Sequence, residues 1–330
     1  MSVVTYSLKS KLYIETLFIH VLLQSFLYNL YMYNLFIIIF IILPTGVLAS
    51  VSDITTDISR SVEKIISRHS YLTKTLNSTN ENRTCSLDTK KERSSKCNSK
   101  THQFPNRGIL IEVPGDKGCP NGMVRINNYC IDKYEAALVE VNQDGSWTDI
   151  SPYHHPKKNI KIRAVSAKGA VPQGYINQIK AKQACHNSGK RLCTNKEWLR
   201  ACQGSKKNMY PYGKKRVNKK CNGSRKIHPA VELFPKAKNP YSKIQNACIN
   251  QLNDGLALTG EYSECVSDDG VFDMMGNLHE WTSDSSGIFR GGYYVDTKRN
   301  GPGCYYRTTA HDTSHWDYST GFRCCANAAD

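Results

Sequence analysis

Thirteen cysteines in 330 residues, all of them beyond Ala49, constrain this chain more than any other feature. None sits in a close Cys-x-x-Cys pattern of the kind that holds zinc or exchanges thiols, so in an exported chain they read as disulfides. An odd number leaves at least one unpaired or joined to another chain. The N-terminus agrees with export. Leu12 to Leu43 is dominated by Leu, Ile, Phe and Tyr and is long enough to cross a bilayer, with Lys9 and Lys11 ahead of it to hold the N-terminus in the cytoplasm. Small residues follow up to Ala49, where a secretory peptidase would cut. Residues 1–49 are therefore expected to be a signal peptide or an uncleaved signal anchor, starting at Met1 or Met32. The remainder is then secreted, periplasmic or membrane-anchored on the extracytoplasmic side, touching a membrane only through an uncleaved anchor.

Ile54, Ile58, Val62, Ile65 and Ile66 recur at helical spacing, which predicts an amphipathic stalk helix over 50–76 that could join copies into an oligomer. Residues 77–107 have almost no apolar side chain to bury and are predicted to be a disordered basic linker. Cys85 and Cys97 either close a local loop there or tether it. Asn77, Asn82 and Asn222 begin N-glycosylation sequons. The net charge is +16, and nine Lys and Arg side chains lie between Lys206 and Lys226 without one acidic residue. Such a stretch is either a solvated loop or an attractor of anionic surfaces. Nucleic acid is not expected outside the cell, and no aromatic stacking pattern accompanies the charge.

Residues 108–330 are long enough for one substantial core and carry no visible repeat. Cys119 to Cys130 alternates apolar and polar residues around Asn127-Asn128, as a hairpin does, and a Cys119–Cys130 bridge would clip it. Ile131 to Glu135 continues as a strand. A helix is predicted from Pro172 through Ile176, Ile179, Ala184 and Cys185 to Gly189. A second starts at Thr194, where Thr194 and Glu197 form a capping box and Trp198 and Leu199 supply the buried face. Gly270 to Trp281 sets Asp273 and Glu280 about a Gly276-Asn277 turn, beside Phe272, Met274 and Trp281. Carboxylates and inward-turned carbonyls on such a loop suit a hard cation such as calcium.

Four blocks, Gly189 to Cys202, Gly270 to Trp281, Phe289-Arg290-Gly291-Gly292-Tyr293-Tyr294 and Gly321-Phe322-Arg323-Cys324-Cys325, together resemble the formylglycine-generating enzyme family, also called the sulfatase-modifying factor family. The resemblance runs from about Cys119 to Cys325 with the blocks in the family's order. It implies an α+β fold: an irregular, β-rich core related to the C-type lectin fold, with two packed helices and disulfide staples. It further implies that Cys185 or Cys193 pairs with Cys324 or Cys325, and Cys202 with Cys304. By match to the family's ligand positions, Asp273, Gly276, Leu278 and Glu280 would hold structural calcium. Asn222 would belong to a second calcium site.

The family's characterised member converts a sulfatase cysteine to formylglycine with oxygen and copper, using two cysteines shortly after the Gly-Gly block. Paired thiolates suit Cu(I) because both are soft. Here Asp296 stands where the first should be, and only Cys304 lies near the second. The resulting reading is an exported, calcium-stabilised binding or accessory module without copper oxidase activity. Its cleft would take a peptide, glycan or small molecule, and Lys206 to Lys226 an anionic surface. The alternative is a metal-dependent oxidase of the same family, either forming formylglycine or carrying out a periplasmic maturation oxidation. It would use copper or iron, with Cys304, Asp296, His311 and His315 as candidate catalytic residues.

Overall fold

The Asn127-Asn128 turn falls where the alternation puts it. The computed structural model describes residues 105–309 and 311–329. In it, β1 (Met123–Ile126) and β2 (Tyr129–Asp132) pair antiparallel across that turn, clipped by a Cys119–Cys130 disulfide. Asn127 takes a left-handed φ of 53°, a conformation asparagine tolerates better than most residues. The signal peptide or anchor, the stalk helix, Cys85, Cys97, and the sequons at Asn77 and Asn82 lie outside the described residues, as does nearly all of the linker. Among the described residues no helix is long and apolar enough to cross a membrane.

Three small sheets follow. The first has the order β1-β2-β11-β6, so the C-terminal strand β11 (Cys324–Asn327) lies between β2 and β6 (Arg191–Leu192). The second is β4-β3-β5, from Ala137–Val141 (β3), Trp147–Asp149 (β4) and Ile162–Val165 (β5). The third is β10-β7-β8-β9, with β7 (His279–Trp281), β8 (Phe289–Arg290), β9 (Arg307–Thr308) and β10 (Thr320–Phe322). β7 and β10 run parallel. The strand expected over Ile131 to Glu135 ends at Asp132.

Helix α1 (Gln178–Asn187) begins later than the expected start at Pro172. The Asn177 side chain accepts the Lys180 N–H at 2.8 Å and caps it there. Upstream, Tyr175 is fully buried with a positive φ of 56°, which no continuing helix allows. Helix α2 (Asn195–Gln203) has its capping box: Thr194 Oγ1 accepts from Glu197 N at 3.2 Å, and Glu197 Oε2 accepts from Thr194 N at 2.8 Å. A short third helix, α3 (Pro229–Leu233), is capped by His228, whose Nδ1 accepts the Ala230 N–H at 3.2 Å.

Successive strand residues face opposite ways, which explains the adjacent cysteines of β11. Cys324 bonds Cys185 of α1, in a core with Leu138, Ile162, Trp281 and Phe322. Cys325 bonds Cys193 just before α2, in a core with Ile131, Trp198, Val271 and Met274. Cys202–Cys304 closes as expected, and Cys221–Cys265 is an additional bridge. All eleven described cysteines, Cys248 included, are disulfide-bonded. The result is the irregular, sheet-rich, disulfide-stapled α+β domain that the sequence implied.

Candidate functional site

The loop before β7 turns on two left-handed residues, Gly276 (φ 82°) and Asn277 (φ 56°). Asn277 N–H donates to the Asn222 carbonyl at 2.7 Å, and a Cβ on Gly276 would stand 1.9 Å from that same oxygen. Only glycine fits so close an approach. Asn222 therefore packs against this loop. Its Nδ2 donates to Gly255 O at 2.8 Å and to Asn277 Oδ1 at 2.9 Å, and the residue is buried. That burial also removes Asn222 from glycosylation, because the amide nitrogen that would carry the glycan is enclosed.

Glu280 and Asp273 share this interior with a third carboxylate, Glu135, and with the fully buried guanidinium of Arg323. Arg323 grips Glu280 with Nε at 2.6 Å and Nη2 at 2.7 Å, while Trp198 Nε1 donates to the same carboxylate at 2.7 Å. The remaining Arg323 donors reach Asp132 O at 3.0 Å and Phe272 O at 2.8 Å. Glu135 accepts from the Asn277 amide and from Leu278 N–H. Burial, followed by Asp273 and Glu280, pushes the Glu135 carboxyl well up. Burial raises Asp273 to about 7, although Gly260 N–H, at 2.7 Å, pulls the other way.

As folded, this set does not fit calcium. Glu280, the strongest expected ligand, has both oxygens engaged by a cation the chain already carries. Glu280 and Asp273 thus lie about Arg323, while Asn222 and Gly276 meet at the Gly276-Asn277 turn and Leu278 N–H is held by Glu135. Sequence inspection shows Arg323 only as part of a block; its partner Glu280 lies on a neighbouring strand, since β7 and β10 pair in parallel.

The proposed catalytic residues separate into two groups. Cys304 is fully buried, bonded to Cys202 and packed with Trp198 and Met274, so it presents no thiol. Asp296 ties a turn: Oδ1 accepts from Lys298 N at 3.0 Å and Arg299 N at 3.1 Å, and Oδ2 accepts from Tyr306 OH at 3.1 Å. His311 and His315 do meet, with rings stacked 3.8 Å apart. His315 Nε2 lies 3.0 Å from Asp317 Oδ2. Burial alone would raise Asp317, but His315 and Ser319 outweigh it and hold the carboxyl low.

A histidine that sequence reasoning passed over completes this face. His279 of β7 is buried against Tyr293 at 4.7 Å, Phe289 at 4.8 Å and Tyr306 at 5.4 Å, and Phe289 in turn stacks on His311 at 5.8 Å. Burial pushes its pKa down to about 4, so the ring is neutral at ordinary pH, and among the described residues its Nδ1 has no hydrogen-bond partner. The rings continue through Tyr293 to Tyr318, whose hydroxyl lies 2.8 Å from His228 Nε2. Because His228 Nδ1 accepts at the α3 cap, Nε2 carries the proton and donates to Tyr318. The only signal for His279 in the sequence is its place between Leu278 and Glu280 in a strand buried on both faces. Among the described residues, no three His, Cys, Asp or Glu side chains converge to hold a metal ion.

With this geometry in place, the chain can be compared with known proteins. The sulfatase-modifying factor enzyme 1-like domain matches residues 93–328. Among solved structures, PvdO from Pseudomonas aeruginosa aligns at 13% identity over 60% of this chain and 80% of its own, with a TM-score of 0.38. The P3c variant of the Major Tropism Determinant aligns at 14% identity over 63% of this chain, with a TM-score of 0.39; the chain spans about half (53%) of that protein. CarF aligns at 18% identity over 59% of each chain, with a TM-score of 0.28. No curated protein matches the sequence.

Proposed function

The chain belongs to the sulfatase-modifying factor enzyme 1-like family, and from that membership we propose that it is an exported binding or accessory module of the family without copper oxidase activity. The observation that carries this reading is the state of Cys304. The one cysteine near the position of the family's copper thiolates is enclosed in the core as half of the Cys202–Cys304 disulfide. Asp296, at the other position, is a hard carboxylate engaged in a turn and a poor ligand for Cu(I). Export is supported by the five described disulfides, which persist outside reducing compartments.

The binding face in this reading is the ring surface of Tyr293, His311 and His315, backed by the buried Tyr306. Aromatic and imidazole rings offer flat apolar area with hydrogen-bonding edges, which suits a peptide, a glycan or a small molecule. The test incubates the oxidised protein with Cu(I), oxygen and a Cys-x-Pro-x-Arg peptide, following peptide mass and bound copper. The expected result is an unchanged peptide and no stoichiometric copper. Conversion of the peptide cysteine to formylglycine would overturn the proposal.

One observation favours a second reading, a metal-dependent oxidase built on histidine. Asp317 orients His315 as a carboxylate orients a metal-ligating imidazole, leaving Nδ1 of His315 beside His311. Stoichiometric iron or copper that is lost in His315→Ala would select this reading.

A further inference from the structure

The lysine-rich stretch changes meaning once folded. Lys206 pairs with Asp268 at 3.6 Å, Lys220 with Glu264 at 2.9 Å and Arg225 with Glu232 at 2.8 Å, while Arg216 donates to Thr297 at 3.0 Å. Three of the nine charges between Lys206 and Lys226 are therefore paired within the domain. From Lys226 to Lys243 no lysine is. Lys226, Lys236, Lys238 and Lys243 are exposed and form no ion pair among the described residues, and Glu232 is the only acidic residue between Lys206 and Asn253.

Three apolar side chains stand among these lysines: Ile227 at 55% exposure, Val231 at 36% and Tyr241 at 55%. They are neighbours. Tyr241 meets the His228 ring edge-on at 4.8 Å, Val231 N–H bonds to His228 O at 3.0 Å, and Ile227 directly precedes His228. Helix α3 and the 3-10 turn Pro240–Lys243 pack on each other. His228, tied to Tyr318 at 2.8 Å, fixes the group in place.

A surface that only collected soluble polyanions would have no use for exposed isoleucine and tyrosine beside its lysines. A bilayer takes both, because apolar side chains enter the boundary between headgroups and acyl chains while lysines meet anionic headgroups. We propose that the α3 surface from Lys226 to Lys243 docks on an anionic lipid bilayer. The chain's own basic segment over 77–107 is repelled by the same lysines, so charge selects an external anionic partner. Since His228 joins this surface to Tyr318 and the ring face, docking would place that face beside the lipid.

The test uses the full chain reconstituted in vesicles of phosphatidylglycerol with phosphatidylcholine, or of phosphatidylcholine alone. Tryptic cleavage after Lys226 is followed by mass spectrometry, with cleavage at the exposed Lys157 and Lys158 as internal reference. Cleavage at Lys226 is expected to slow only in the anionic vesicles, with the docking equilibrium constant falling roughly fivefold for each lysine removed. The protection is expected to vanish both in I227S/V231S/Y241S and in K236E/K238E/K243E, with melting temperatures kept. Three results would overturn the proposal: equal cleavage in the two vesicle types, protection surviving the apolar substitutions, or the same protection given by heparin in solution without vesicles.

Discussion

Asp273 is easier to protonate in the folded chain than in the unfolded one, because burial raises its carboxyl from 3.8 to about 7. Below pH 3.8 both states hold the proton. Between there and about 7 only the folded state keeps it, so stability falls as pH rises through that window and levels off above it. Asp273→Asn removes the titration while keeping an oxygen to accept the Gly260 N–H. Urea unfolding should therefore find the variant equal to wild type near pH 4 and more stable at pH 8, by at most about 4 kcal/mol. Parallel profiles would mean that Asp273 is ionised in the fold and has a cation beside it. Chelation asks the same question of Glu280. With Arg323 supplying the positive charge, EDTA at pH 8 is expected to leave the melting temperature unchanged. Arg323→Met strands Glu280 in the core and is expected to cost about 3–5 kcal/mol. A fall on chelation that disappears in D273A/E280A would return calcium to the loop.

At the scale of elements, what was legible in the sequence is what local chemistry decides. The β1–β2 hairpin follows from alternation about Asn127-Asn128, and α2 from a capping box four residues long. Helix α1 was legible as a helix but not in its start. Pro172 is a plausible first residue, yet Asn177 is the better cap and Tyr175 is held in the core in a left-handed conformation. The short helix α3 escaped because its cap is a histidine, whose ring nitrogen does what Ser, Thr or Asp does elsewhere. The candidate site divides along the same line. Cys304 and Asp296 were legible as departures from a motif, and the structure gives each a structural partner. The Arg323–Glu280 pair and the neutral His279 were not legible, because both depend on which strands lie side by side. Hydrophobic pattern does not carry that information when strands are two or three residues long.

For the whole molecule, the order of the disulfides matters more than their number. Cys185–Cys324 and Cys193–Cys325 each span well over a hundred residues, separations of 139 and 132. If either were the only bridge, it would withdraw loop entropy from the unfolded chain worth about 5 kcal/mol. They interleave, however, with their ends close in the chain: with one closed, the other completes a ring of only about ten residues, worth about 3 kcal/mol. Replacing either pair by alanine should therefore cost about 3 kcal/mol, less than its span suggests. Replacing both leaves Cys202–Cys304 as the remaining tie between the helices and the C-terminal half, and should cost about 6 kcal/mol. Guanidinium unfolding of the two double variants and the quadruple variant measures this directly. A loss near 5 kcal/mol for each pair alone would mean that the bridges act independently. Reduction of a single bridge is then tolerated, whereas a fully reducing compartment opens both interleaved rings together. The small sheets of this domain, two to five residues per strand, then have little to hold them in register.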